Sequence, residues 1–136
     1  MDNFLVATAG ALGALIGAFI NAWATARRDQ LSRHHESQRA ALYALQDGAL
    51  ELRRALQVYG RSGETPQTTQ AIDDAHGRLD LLMHRIDDVR VREDTDVWRD
   101  LAQRFFLDDP DITVTVEDTT WQRLHRDIGE ALRATY

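Results

Sequence analysis

His84, Asp87 and Asp88 place an imidazole and two carboxylates within about one helical turn, and these are groups that a divalent metal accepts. A carboxylate-bridged site in a helical bundle needs Glu-x-x-His pairs facing inward from more than one helix, and the chain has no such pair. His84 therefore reads as a solvated histidine beside an acid. His34 and His35 lie among arginines, where an imidazole could sense pH, but a polar stretch of stalk accounts for them equally well. Residues 108–111, with Glu117 and Asp118, are acidic enough to attract calcium, yet lack the spaced ligands, central glycine and closing glutamate of an EF-hand loop. Ser62 has no histidine in a strand-turn-helix setting, and Gly60-x-x-Gly63 follows a helical pattern rather than a strand. With no cysteine, thiolate chemistry and disulfides are excluded. No catalytic residue, cofactor or metal is expected, and the chain does not read as an enzyme.

The aromatic residues offer contact rather than catalysis. Trp98 and Trp121 fall on the apolar sides of two expected helices, where core packing competes with a role as exposed partner anchors. Phe105 and Phe106 are adjacent, so both rings cannot share one helix face. These four are the candidate contacts for a protein partner.

The elements that must position these groups begin with an apolar run over residues 4–26 that holds no charged residue. About twenty such residues cross a bilayer's hydrocarbon core. The run predicts a transmembrane anchor over residues 1–26, followed by a basic juxtamembrane stalk over 27–41. Arg27, Arg28, Arg33 and Arg39 follow the run while Asp2 precedes it, which argues against a cleaved signal peptide. The same asymmetry orients the span with its N-terminus outside and a cytoplasmic domain over residues 42–136, in a cell inner membrane. Trp23 would then sit at the inner interface. Gly10, Gly13 and Gly17 form a small-residue face along which anchors would pack as a homo-oligomer.

All sixteen basic residues are arginine, and they are unevenly placed. Residues 27–39 carry four arginines against Asp29 and Glu36, a net +2 that would favour anionic lipid. The rest of the chain to residue 136 carries twelve arginines and nineteen acids, a net −7 that argues against nucleic acid as a partner.

Beyond the apolar run, Leu31, His35, Gln38, Leu42, Leu45, Ala49, Leu52, Leu56 and Tyr59 recur at coiled-coil spacing. One long helix is predicted from the membrane to about Tyr59. Residues 60–66 are a loop, with Thr65 as N-cap and Pro66 at the first helical position. Ile72, Ala75, Leu79, Leu82, Ile86 and Val89 form a second seam, predicted to pack antiparallel on the first as a helical hairpin. Residues 88–96 read as a charged break, Thr95 as the cap of a third helix, and residues 112–116 as a short extended segment without a partner strand. Thr119 is expected to cap the last helix, whose face is Trp121, Leu124, Ile128 and Leu132. The predicted fold is all-α: a transmembrane helix running into a long helix, a hairpin, and two shorter helices closing a small bundle.

The apolar run, the arginine-rich stretch and Tyr43 within residues 40–45 together resemble a loose set of small actinobacterial proteins with a membrane helix and a cytoplasmic helical domain. The resemblance covers roughly the first sixty residues and implies anchoring, with no activity or functional residue to carry over. The combined expectation is a membrane-tethered helical interaction module in contact with lipid, its own copies and an unidentified protein. The alternative is a small oligomeric membrane-active effector, forming pores or acting in phage defence.

Overall fold

In the computed structural model the backbone is described from Asp2 to Tyr136, and side chains from Gly13 onward. Four helices follow one another: α1 Asp2–Ser62, α2 Pro66–Met83, α3 Val89–Phe106 and α4 Val114–Ala134. No strand occurs among the described residues. The chain divides into two units, Met1–Glu36 and Ser37–Tyr136.

The described residues of the first unit are all helical. Leu15 is 68% exposed, Phe19 73% and Trp23 58%. The Arg27 guanidinium lies over the Trp23 ring at 5.3 Å. Among the described residues no helix is long and apolar enough to cross a membrane. The described apolar stretch, residues 13–26, runs straight into Arg27, Arg28 and Asp29. Residues 4–12 of the expected span, Gly10 among them, lie outside the residues whose side chains are described.

This finding corrects the transmembrane anchor and everything built on it: the single-pass inner-membrane topology, the lipid partnership, the anchor-driven homo-oligomer, the tethered module with its unidentified protein partner, the pore-forming alternative, and the resemblance to membrane-anchored proteins. It corrects the predicted fold class too, since the fold is four helices and none among the described residues is long and apolar enough to span a membrane. The last two helices are shorter than the long first one: α1 has 61 residues, α3 18 and α4 21.

The second unit is an up-down-up-down bundle. Arg39 reaches Thr135, Gln46 meets His125 and Arg53 meets Glu117, so α4 runs antiparallel to this part of α1. Glu51 pairs with Arg78 of α2, and Asp80 of α2 pairs with Arg99 of α3. Asp94 to Arg123 and Arg90 to Glu130 set α3 antiparallel to α4. The seam Leu42, Leu45, Ala49, Leu52 and Leu56 is buried, facing Ile72, Ala75, Leu79 and Met83 of α2 and Leu124 and Ile128 of α4 within one core. Gly48 lets α1 approach α2 closely, since a Cβ there would stand 2.8 Å from Leu82 Cδ1.

Local chemistry sets the helix ends. Thr65 and Thr68 form a reciprocal capping box and Pro66 opens α2. Gly63, at φ 77°, turns the chain between α1 and α2, its N–H donating to Tyr59 O at 2.8 Å. The α2 helix stops at Met83, which takes a core position, and Val89 of the expected second seam is exposed. Asp88 caps α3 by accepting from the amides of Arg90 and Val91. Residues 88–96, expected as a break, are therefore the start of a helix. Thr95 is not its cap but sits buried within it, donating to Val91 O at 2.6 Å. Thr113 caps α4 in place of Thr119, whose hydroxyl donates to Thr115 O inside that helix. The period-two alternation of residues 112–116 yields to the helix because a strand there has no partner to pair with.

Candidate functional site

A buried polar cluster of the bundle is centred on Glu117, which is 1% exposed. It sits in the first turn of α4, where the helix dipole favours a carboxylate. Arg53 of α1 meets it as a two-pronged fork, Nε to Oε1 at 3.1 Å and Nη2 to Oε2 at 2.8 Å. Trp98 of α3, fully buried, donates its indole N–H to Oε1 at 3.2 Å. One carboxylate thus ties three helices together with charge-assisted bonds.

Aromatic rings close over this node. The Arg53 guanidinium lies 4.6 Å from the Trp121 ring centroid, a cation–π contact. Trp121 packs tilted on Trp98 at 4.8 Å and edge-on to His125 at 4.2 Å. Gln46 Nε2 of α1 is 3.4 Å from His125 Nδ1. Burial, and then the nearby Arg53 charge, hold the His125 imidazole below its usual value.

Farther along α3 and α4, Asp94 and Asp127 are both buried and lie within hydrogen-bonding reach of each other. Arg123 Nη2 holds Asp94 Oδ1 at 3.0 Å and Arg126 Nε holds Asp127 Oδ1 at 3.2 Å. Burial, then the Asp127 carboxyl, push Asp94 up; the hydrogen bond from Asp94 comes first in pulling Asp127 down. On the opposite side of α3, His76 of α2 is lowered by burial and by Arg99, and its Nε2 is buried without a partner.

The residues singled out from the sequence fall in different places. Trp98 and Trp121 are core residues. Phe105 and Phe106 are half-buried, stacked edge-on at 4.9 Å, and line a 350 Å³ surface cavity with Gln57, Gly60, Arg61 and Asp108. A Cβ at Gly13 or Gly17 would meet nothing within 4 Å. His84 Nδ1 lies 2.7 Å from Asp80 O, and Asp88 is spent on the α3 cap. Asp109 holds Arg104 and the Asp111 amide. No group of side chains that could hold a metal ion occurs among the described residues.

The Glu117 node is not visible in the sequence, where Glu117 reads as one more acid beside residues 108–111. Its partners are 64 and 19 residues away. The available signal is an acid on the same helical face as Trp121, Leu124 and Ile128. Against known proteins, no family model, no curated protein and no solved structure matches this chain.

Proposed function

We propose that the Ser37–Tyr136 unit is a non-catalytic, architectural helical domain. Its buried ionisable groups hold α1, α3 and α4 in one register rather than turn over a substrate. The observation that carries this reading is the saturation of Glu117: its oxygens are engaged by Arg53 and Trp98 from two other helices. A general acid or base needs a face open to substrate, whereas this carboxylate is enclosed. Surface recesses lie elsewhere, along Met83 to Asp96 and along Pro66 to Asp74.

The test sets purified full-length protein against generic phosphate-ester, carboxyl-ester, nucleoside-triphosphate and peptide substrates, with Glu117→Gln alongside. No turnover by either, together with a lowered unfolding midpoint in Glu117→Gln, is the expected result. A turnover that Glu117→Gln abolishes while the protein stays folded would overturn the reading.

A further inference from the structure

We propose that Asp94 and Asp127 share a single proton and form an acid-closed clasp between the N-terminal half of α3 and the C-terminal half of α4. Asp94 is 6% exposed and Asp127 7%. Each gives one oxygen to an arginine of α4: Arg123 takes Asp94 Oδ1 and Arg126 takes Asp127 Oδ1. The other oxygen of Asp94, Oδ2, is buried and no N–H or O–H donor reaches it. A buried carboxylate oxygen left bare is costly, and two facing carboxylates repel. One proton on Asp94, donated to Asp127, removes both penalties at once, as in other close carboxyl pairs.

The surroundings hold the pair in this state. On α3, Arg90 reaches toward Glu130 of α4 at 3.7 Å and its charge favours the ionised form of Asp127. On α4, Arg126 adds to that, and Arg123 opposes the rise at Asp94 without cancelling it. The α1 side chains on this side of the bundle are engaged otherwise: Arg39 donates to Thr135 O and Gln46 meets His125. On α2, Asp80 is paired with Arg99. Asp94 binds its proton more tightly folded than unfolded, so its contribution is present at low pH and lost as pH rises through its raised value. Asp127 behaves in the opposite sense, and its contribution is lost as pH falls through its lowered value. The clasp is closed between those two values and opens above the upper one, where both carboxyls are charged.

Carboxyl-carbon NMR titration of the full chain tests this directly, with Asp94→Asn and Asp127→Asn to assign the signals. One carboxyl should titrate above the ordinary aspartate range and its neighbour below it, and Asp127→Asn should bring the upper one most of the way back. Amide exchange, corrected for its intrinsic pH dependence, should quicken by up to about tenfold per pH unit in the two facing half-helices as pH climbs from the ordinary aspartate value to that of Asp94. Asp94→Asn, which mimics the protonated acid, should abolish that rise. Reading the ratio of wild type to Asp94→Asn cancels the histidine titrations common to both. Two carboxyls titrating independently at ordinary aspartate values would overturn the proposal, as would an exchange profile unchanged by Asp94→Asn. If that variant fails to fold, the wild-type titration alone decides.

Discussion

Arg53 and Glu117, 64 residues apart in sequence, meet as a parallel fork with both nitrogen–oxygen distances at or below 3.1 Å. Their environments differ: the Glu117 side chain is 2% exposed while that of Arg53 is 23% exposed. Removing one partner therefore has unequal consequences. Without Arg53 a buried carboxylate is stranded, whereas without the Glu117 charge the guanidinium can still turn toward water and Asp118, 3.7 Å away.

Arg53→Met should accordingly cost about 3–5 kcal/mol of stability, the range for breaking a buried pair from one side. Glu117→Gln should cost less, about 1–3 kcal/mol, because the amide still fills the site. The double variant Arg53→Met/Glu117→Met should recover part of the loss, since an apolar pair strands no charge. Urea unfolding of wild type and the three variants compares these losses side by side. Equal costs for the two single variants would refute the asymmetry.

Two helical glycines should respond in opposite directions. A Cβ at Gly77, on the exposed side of α2, meets nothing within 4 Å, so Gly77→Ala should stabilise by about 0.5–1 kcal/mol through helix propensity alone. At Gly48 the same atom would stand 2.8 Å from Leu82 Cδ1. The end of the leucine can yield to a methyl but not to a branched side chain, so Gly48→Val should cost about 1–3 kcal/mol. Thermal midpoints measured side by side would decide. A stabilised Gly48→Val would mean that α1 and α2 are not in close contact.

Acid should weaken the bundle through its histidines. His76 and His125 are both lowered, first by burial and then by Arg99 and Arg53 respectively. The unfolded chain takes up these protons near pH 6.5 while the folded chain resists, so stability falls as pH drops below about 6.5 and is unaffected above it. His76→Gln/His125→Gln should flatten that limb of the profile. Thermal unfolding between pH 7.5 and 5 reads it, and an unchanged slope in the double variant would reject these two residues as the source.

How much is legible in the sequence depends on how far apart the deciding partners lie. The Leu42, Leu45, Ala49, Leu52 and Leu56 seam is a local periodicity, and all five side chains are buried. Thr65 and Pro66 announce the start of α2 by type and order alone, and both act there. The α3 start misleads because Asp88 looks like one more charge of a break, whereas it is a cap. Asp94 looks like surface charge for the same reason, whereas it faces Asp127 across two helices. The α4 start misleads because Thr113 to Val116 alternate like a strand, while burial of Glu117 against Arg53 and Trp98 commits the segment to a helix. The apolar run reads as a span from its composition alone, whereas among the described residues no helix is long and apolar enough to cross a membrane.

The tight turn at Gly63 has a kinetic meaning. Tyr59 O, the Gly63 amide and the Thr65–Thr68 box close within ten residues, so α1 and α2 can zip together from their junction at small loop-closure cost. The fork between Arg53 and Glu117 joins parts of the chain that must search much longer for each other. Folding should begin at the Gly63 corner, with the α1–α2 pair as its template. The Arg53 and Glu117 charges should be dehydrated last, when α4 closes on the α1–α2 pair.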